Sequence, residues 1–166
     1  MIKIENNFLD NDTFFDLQNS VTSDNFPWFL QHGKVEVGDG QKQFTHNLVK
    51  NKNGTRLSTS FMPLILTPVI VKLNINTVVC AKLNLTHREN EIIPSLPHTD
   101  IDIYDKSFTS ILYLNTNNGY TQIVGGEKIP SIQNRFVTFP TNTPHFGTTH
   151  TDTDYRIVLN LVYTME

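Results

Sequence analysis

The second half of the chain is divided into short runs of strand-forming residues by turn signals at regular intervals. The segments between the runs are rich in Asn, Gly and Pro, which favour turns. Short strands at such a spacing are typical of an antiparallel sandwich or barrel. The predicted strands are Thr77–Leu85, Ser107–Leu114, Tyr120–Val124, Arg135–Phe139 and Tyr155–Tyr163.

The first 76 residues combine helical and strand-like patterns. Apolar residues at helical spacing predict a helix over Phe14–Val21, behind N-cap residues, and a weak alternation at the N-terminus predicts a short strand. The alternating segments of Phe26–Lys50, around the turn Gly38-Asp39-Gly40, predict a hairpin of the sheet. Phe61–Leu73 is apolar but contains two prolines, so we expect a kinked helix there.

The amino-acid composition agrees with a β-rich fold. Ala occurs once in the 166 residues, whereas Thr occurs 20 times and Asn 18 times. Because Ala favours helices, Thr suits strands and Asn suits turns, these counts argue against a helical bundle. The length fits one domain with a hydrophobic core. We expect residues 1–166 to form a single domain in which the helices and strands of 1–76 support a β core at 77–166.

Charge and cysteine content exclude several classes of function. The net charge of -3 and the lack of any run of Lys or Arg argue against a nucleic-acid partner. Cys80 is the only cysteine, so the chain can form neither a disulfide framework nor a cysteine-based zinc site. The N-terminus is polar and the apolar stretch Phe61–Leu73 is too short to span a bilayer, so we expect a cytoplasmic protein without a membrane partner.

His98-Thr99-Asp100 places an imidazole and a carboxylate two residues apart, a spacing that puts both on one face of a strand. Such a pair can chelate one metal ion, and a facial metal site needs a third ligand from another strand. His145 and His150 both follow this motif in the chain. A second copy, His150-Thr151-Asp152, has no histidine after it, and we interpret it as a polar hairpin loop.

Arg156 stands near the start of the last predicted strand. Alternation puts four side chains of that strand on one face, those of Arg156, Val158, Asn160 and Val162. An arginine beside valines on a core-facing register needs an anion, and its planar guanidinium suits a carboxylate of a substrate, a cosubstrate or a neighbouring aspartate. Two histidines, a carboxylate and a nearby arginine on a β scaffold are the arrangement expected of a non-haem iron(II) oxygenase.

Five segments between Thr77 and Tyr163, about half of the chain, carry a resemblance to a known family. The segments are Pro97-His98-Thr99-Asp100, Ile111-Leu112-Tyr113-Leu114-Asn115, Asn134-Arg135-Phe136-Val137-Thr138-Phe139, Pro144-His145 and Arg156-Ile157-Val158-Leu159-Asn160-Leu161. In this order they resemble the Fe(II)- and 2-oxoglutarate-dependent dioxygenases, in particular the short prolyl 4-hydroxylase-like members, some of them phage-encoded. The resemblance implies a mainly β (α+β) fold with a double-stranded β-helix, or jelly-roll, core and N-terminal helices that buttress the sheet.

The resemblance also implies an Fe(II) centre held by His98, Asp100 and His145. It implies 2-oxoglutarate and O2 as cosubstrates, ascorbate as a supporting reductant, and the cytoplasm of the host cell as the location of a phage-encoded chain. Arg156 would bind the far carboxylate of 2-oxoglutarate. The other residues that it places near the cosubstrate are Tyr113, Asn84, Asn160 and Lys82.

The implied activity is hydroxylation of an unactivated C–H bond, in a prolyl residue of a protein or peptide or in an amino-acid-like small molecule. One segment departs from the prolyl hydroxylases, because Asn118-Gly119-Tyr120-Thr121 stands where they commonly have Gly-Gly, an acidic residue and Thr. The loops that would contact the substrate therefore stay unassigned. Two alternatives use the same residues: a non-catalytic jelly-roll binding module with a vestigial metal site, and a cupin-like metal hydrolase or isomerase.

Overall fold

The computed structural model describes residues 1–36, 39–50, 60–100 and 106–165, so Gly38 of the predicted hairpin turn lies outside the described residues. The helices are α1 (Asn11–Val21), α2 (Met62–Ile65) and α3 (Thr67–Leu73). The strands are β1 (Lys3–Glu5), β2 (Phe29–Gln31), β3 (Gln43–Lys50), β4 (Thr77–His87), β5 (Ser107–Tyr113), β6 (Tyr120–Ile123), β7 (Lys128–Pro130), β8 (Phe136–Pro140), β9 (His145–Gly147) and β10 (Tyr155–Thr164).

The strands form two antiparallel sheets. The larger sheet has seven strands in the order β1-β8-β5-β10-β4-β3-β2, and the smaller has three strands in the order β7-β6-β9. The central strand of the larger sheet, β10, pairs with its neighbour β4 along almost its whole length. The predicted mainly β fold is therefore confirmed.

The large sheet is covered on both of its faces. On one face the helices pack against it, and Leu17 and Val69 share a hydrophobic cluster with Leu83. On the other face lies the small sheet, whose Ile123 shares a second cluster with Val137. Because side chains alternate along a strand, β4 and β10 direct every second residue toward the small sheet. The space between the two sheets is where the cavity described below lies.

Local signals explain the helical regions. The Asp10 side chain accepts the N–H of Thr13 at 3.0 Å and caps α1. The kinked helix predicted over 61–73 is two short helices that meet at Leu66, because Pro63 and Pro68 each occupy the first turn of a helix, where the missing N–H costs nothing. Within the described ranges, no helix combines the length and the apolar character that crossing a bilayer requires.

Most predicted strands form, and one prediction is wrong. The five predicted strands appear as β4, β5, β6, β8 and β10, and the predicted hairpin appears as β2 paired with β3. The segment from His98 to Asp100 does not lie along a strand, since His98 makes only a single β-bridge with His145. Pro97 has no N–H to donate, which prevents a continuous ladder there. The prediction also lacks β7 and β9, because three residues are too few for a period to show.

Candidate metal and cosubstrate site

A cavity of about 140 Å³ lies between the two sheets. This is many times the space that one water molecule needs, so the cavity suits an organic ligand. The antiparallel register places Arg156 beside Thr86 and, four residues further along β10, Asn160 beside Lys82. The floor of the cavity consists of alternate residues of β4 and β10, namely Cys80, Lys82, Asn84, Thr86, Arg156, Val158, Asn160 and Val162.

Three candidate metal ligands meet at the cavity wall. The ligand atoms of His98, Asp100 and His145 all lie within 4.8 Å of one another. Backbone hydrogen bonds bring them together: the N–H of His98 donates to the carbonyl of His145 at 3.0 Å, and the N–H of His145 donates back at 2.9 Å. The N–H of Asp100 donates to the carbonyl of Thr141 at 3.1 Å. Of the two histidines that follow the motif, His145 is the one that lies beside His98 and Asp100.

Both histidines are oriented as metal ligands. The Nδ1 atom of His98 lies 3.2 Å from the carbonyl of Leu96, and that of His145 lies 3.0 Å from the carbonyl of Thr143. Since a carbonyl can only accept, Nδ1 is the donor in each pair, and Nε2 is the ring nitrogen left to bind a metal. Burial lowers the pKa of His145, which favours the neutral imidazole that metal binding requires.

The Asp100 carboxylate completes the set. Its Oδ2 atom accepts a hydrogen bond of 2.6 Å from Thr109 Oγ1 and lies 3.7 Å from His145 Nε2. Two neutral imidazoles and one carboxylate on one side of an ion are the donor set of non-haem Fe(II) sites, with coordination positions left for further ligands. The residues present therefore fit Fe(II).

We expect Thr109→Val to weaken Fe(II) binding about 10- to 100-fold, because the Thr109 hydroxyl fixes the orientation of the Asp100 carboxylate. Anaerobic titration of the metal measures this effect. Ser110→Ala is the matched control, since Ser110 is the next residue of β5 and bonds to Thr138 and Tyr163 instead. Equal metal affinities for the two variants would contradict the positioning role of Thr109.

Arg156 is a buried cation without an anionic partner among the described residues. Its side chain is 5% exposed, and its Nε–H donates to Ser131 Oγ at 2.9 Å. In the part of the chain that the structure describes, no carboxylate forms an ion pair with it, and Asp154 lies 3.7 Å from Arg88 instead. Burial lowers the pKa of Arg156 because the charged form is desolvated. A guanidinium in this position costs free energy until an anion joins it.

Four buried polar atoms at the cavity lack a hydrogen-bond partner among the described residues. Such atoms are rare in folded proteins, since each one costs the free energy of its lost hydration. A polar ligand in the cavity would satisfy them together. The atoms are Lys34 Nζ, Asn84 Oδ1, Thr86 Oγ1 and Asn160 Oδ1.

Solved structures share this architecture. An oxidoreductase of the 2OG-Fe(II) oxygenase family from Burkholderia pseudomallei matches with a TM-score of 0.65 at 9% identity, over 98% of this chain and 84% of that one. A prolyl hydroxylase from Trichoplax adhaerens, in complex with a hypoxia inducible factor peptide, matches with a TM-score of 0.66 at 15% identity, over 98% of this chain and 83% of that one. The carbocyclase SnoK from nogalamycin biosynthesis matches with a TM-score of 0.66 at 11% identity, over 98% of this chain and 78% of that one. The chain has the fold of the 2-oxoglutarate oxygenases.

These likenesses confirm the jelly-roll core and, at the level of the fold, the resemblance to the prolyl 4-hydroxylase-like oxygenases. No protein-family model and no curated protein matches the sequence. The oxygenase fold is thus established by the arrangement of the strands, whereas the chemistry has to be argued from the residues of the cavity.

Within the oxygenase fold, Tyr113 lies behind the cavity wall. Its hydroxyl donates to Thr121 Oγ1 at 2.8 Å, and Thr121 lines the cavity. The ring centroid of Tyr113 lies 5.7 Å from the guanidinium carbon of Arg156. Tyr113 therefore supports the arginine and orients a neighbouring hydroxyl, and a direct contact between Tyr113 and a cosubstrate stays a prediction.

Lys82, Asn84 and Asn160 all face the cavity, as the alternation of β4 and β10 predicts. Burial lowers the pKa of Lys82, while nearby Cys80 and Asp100 act in the opposite direction. The register places Cys80 and Lys82 toward one end of the floor and Thr86 and Arg156 toward the other, and Asp100 is close enough to Lys82 to oppose the lowering of its pKa. A ligand that spans the floor between these two ends would contact Asn84 and Asn160.

Sequence reasoning missed Gly119 and Ser131, which shape the surroundings of Arg156. A Cβ atom on Gly119 would lie 3.0 Å from Arg156 Cδ and 2.9 Å from the carbonyl oxygen of Thr149, so a side chain there would displace the arginine. Gly119 belongs to the segment that departs from the prolyl hydroxylases, and that departure is the one feature of the sequence that draws attention to it. Ser131 directly follows β7, a strand too short for an alternation of polar and apolar residues to single it out.

Lys34 is the third residue that the sequence did not indicate. It stands in the loop between β2 and β3, where neither a motif nor a period singles it out, and its Nζ atom is buried at the cavity. Burial, followed by repulsion from Arg156, lowers the pKa of Lys34 to about 7, and Asp39 acts in the opposite direction. Two cationic side chains thus share one end of the cavity.

Proposed function

We propose that this chain is an Fe(II)- and 2-oxoglutarate-dependent dioxygenase that hydroxylates an unactivated C–H bond. The observation that carries the proposal is that one cavity is lined both by a three-ligand metal set and by a buried arginine that has no anion among the described residues. A metal site alone suits a hydrolase as well, and an arginine alone suits many anions. Together they match a dicarboxylic 2-oxo acid that ligates a metal at one end and meets a guanidinium at the other.

The roles of the residues follow from their positions. His98, Asp100 and His145 would hold Fe(II), and Arg156, fixed by Ser131, would bind the far carboxylate of 2-oxoglutarate. When bound, the iron supplies the oxidation chemistry, in which 2-oxoglutarate and O2 are converted to succinate and CO2 while one oxygen atom enters the substrate. Ascorbate would serve as a supporting reductant that keeps the iron ferrous.

The remaining cavity residues orient the cosubstrate and exclude water. Asn84, Thr86 and Asn160 offer hydrogen bonds to a polar ligand, because each has a buried oxygen without a partner among the described residues. Val158 and Ile111 supply apolar surface beside them. A largely dehydrated site strengthens the electrostatic contacts with the carboxylates and limits side reactions with water.

For the substrate we propose a prolyl residue of a protein or peptide, or an amino-acid-like small molecule. The Trichoplax adhaerens enzyme is in complex with a peptide, and SnoK is a carbocyclase of nogalamycin biosynthesis, so enzymes of this fold include one that holds a peptide and one that takes part in the biosynthesis of a small molecule. The single-domain organisation with its division at residues 76 and 77, the cytoplasmic location and an origin in a phage all stay predictions.

Mixing the protein with Fe(II) and 2-oxoglutarate under anaerobic conditions is expected to produce a visible charge-transfer absorption. The reason is that the 2-oxo acid would bind the metal through its carboxylate and keto oxygens. Admission of O2 should then release succinate, which a coupled assay measures. Absence of both signals from the folded protein would overturn the proposed function.

The same measurements separate the two alternatives. A non-catalytic binding module would show neither absorption nor succinate, and its stability would not respond to 2-oxoglutarate. A hydrolase or isomerase would purify with zinc or manganese and would release no succinate with Fe(II). The substrate is then identified by the extra succinate that it causes. Peptides with a proline are compared with the same peptides carrying alanine at that position and with free amino acids.

A further inference from the structure

Lys34 and Arg156 place two cations at one end of the cavity. The Nζ atom of Lys34 is buried and, among the described residues, has no hydrogen-bond partner. It reaches across to the small sheet, where it lies 3.8 Å from the position that a Cβ atom on Gly147 would take. Arg156 projects from β10 of the large sheet and is close enough to lower the pKa of Lys34. An anion between the sheets would therefore meet a cation from each side.

The loop that carries Lys34 is held in place by its own hydrogen bonds. The N–H groups of Lys34 and Val35 donate to Asp39 Oδ2 at 2.9 and 2.8 Å. The side-chain amide of Gln43, on β3, donates to the carbonyl of Lys34 at 3.2 Å. The backbone that carries Lys34 is thus anchored beside the cavity.

Two like charges in a desolvated space repel each other, and burial adds to the cost. Asp39 does not relieve this cost fully, because its carboxylate is engaged by backbone N–H groups, chiefly that of Val35, which lower its pKa to about 2. A carboxylate has two oxygens, so it can accept from the guanidinium on one side and from the ammonium on the other.

We propose that Lys34 is a second cosubstrate-binding residue that clasps the far carboxylate of 2-oxoglutarate together with Arg156, and that it makes cosubstrate affinity depend on pH. The proposal rests on the proposed function and deepens it. It concerns a residue outside the strands of the jelly roll, and it predicts that the site prefers a 2-oxo acid with a second carboxylate over one without.

The sign of the pH dependence follows from linkage. Lys34 in the free protein loses its proton near pH 7, whereas an adjacent carboxylate would hold the proton to higher pH. Below about pH 7 the ammonium is already formed and the affinity is constant. Above that value binding has to take up a proton, so the affinity falls by up to about tenfold for each pH unit until the pKa of the complex is reached.

Other titratable groups lie near this end of the cavity. His150 stands near Arg156, and burial lowers its pKa, so it is neutral above pH 7. Asp39 is ionised throughout this range. A neighbouring cavity that Lys34 also lines contains Lys42, His87 and Glu89, and the main cavity contains Lys82 toward the metal. Variants of Lys34 itself isolate its contribution from all of these.

The test is isothermal titration of 2-oxoglutarate into the full chain with Mn(II) in place of Fe(II), between pH 6 and 9. In the wild type we expect uptake of about one proton per ligand at pH 8 and almost none at pH 6, measured in buffers of different ionisation enthalpy. Lys34→Met should weaken binding about 10- to 100-fold at pH 7 and abolish the proton uptake. Lys34→Arg should keep the affinity and lose the uptake, since arginine stays protonated.

Two controls make the result specific. Lys42→Met removes a lysine of the neighbouring cavity and should behave as the wild type. The monocarboxylate 2-oxopentanoate lacks the far carboxylate, so its weak binding should not change when Lys34 is replaced. Circular dichroism and a thermal melt establish that each variant is folded, and the proton uptake of the wild type tests the proposal even if Lys34→Met does not fold.

The outcomes distinguish this inference from the proposed function. If 2-oxoglutarate binds and Arg156→Met weakens it, but Lys34→Met binds as the wild type does, the role of Lys34 is overturned and the oxygenase proposal stands. Unchanged proton uptake in Lys34→Arg overturns the pH coupling. If the wild type with its metal does not bind 2-oxoglutarate at all, both proposals fall.

Discussion

Asp100→Ala is expected to abolish metal binding and succinate release together. The carboxylate is the only anionic member of the His98, Asp100 and His145 set, so its removal leaves two neutral imidazoles to hold a divalent cation. Changes in groups that merely orient metal ligands typically cost 10- to 100-fold in affinity, and loss of a ligand itself should exceed about 100-fold. Anaerobic Fe(II) titration and the succinate assay measure the two losses.

The chain supplies a matched control in its second copy of the motif. Asp152 follows His150 by two residues, as Asp100 follows His98, but it lies exposed in a loop and accepts the N–H of Asn118 at 3.0 Å. Asp152→Ala should therefore keep wild-type metal affinity and turnover. If Asp100→Ala still bound one metal ion with wild-type affinity, the assignment of the metal site would be wrong.

Arg156→Met is expected to weaken 2-oxoglutarate binding by about 100-fold or more while metal binding is retained. Loss of one partner of a buried charge pair costs about 2 to 5 kcal/mol or more, because the other charge is left without its counterpart. Titration calorimetry at saturating Mn(II) measures the change. Ser131→Ala, which removes only the hydroxyl that holds the guanidinium through Nε, should have a smaller effect in the same direction.

Arg156→Met should also make the ligand-free protein more stable. Arg156 is buried without an anion in the described part of the chain, so a methionine of similar length removes a desolvation cost of about 1 to 4 kcal/mol. For a chain of this size each kcal/mol raises the Tm by about 2 to 4 °C. A thermal melt with and without 2-oxoglutarate should show a higher Tm for Arg156→Met and no further rise with the ligand.

A fall in Tm would contradict the view that Arg156 is kept for ligand binding at the expense of stability. If Arg156→Met still gained stability from 2-oxoglutarate, the far carboxylate would have to bind to a group other than Arg156. In the wild type, a ligand concentration of 100 times Kd should add about 2.7 kcal/mol to the free energy of unfolding, which gives the assay ample range.

The sequence predicts the long strands well and the short ones poorly. The pattern predicts a strand over Tyr155–Tyr163, and β10 extends over Tyr155–Thr164, because ten residues display their alternation clearly. β9, with three residues, shows no period, yet it carries His145. His98 needed no strand of its own, since two backbone hydrogen bonds to His145 align it. Motif spacing singled out the candidate ligands, although the local structure expected for them was wrong.

Residue types and their order were enough to indicate a β-rich chain, to pick out imidazole and carboxylate groups that can hold a metal, and to direct Arg156 inward. These properties belong to the residues and to the period of a strand, so they can be read along the chain. Packing alone brings Lys34 to Arg156 and leaves both without a carboxylate among the described residues. Burial and missing partners depend on which atoms surround a group in space, and residues distant in the chain supply those atoms.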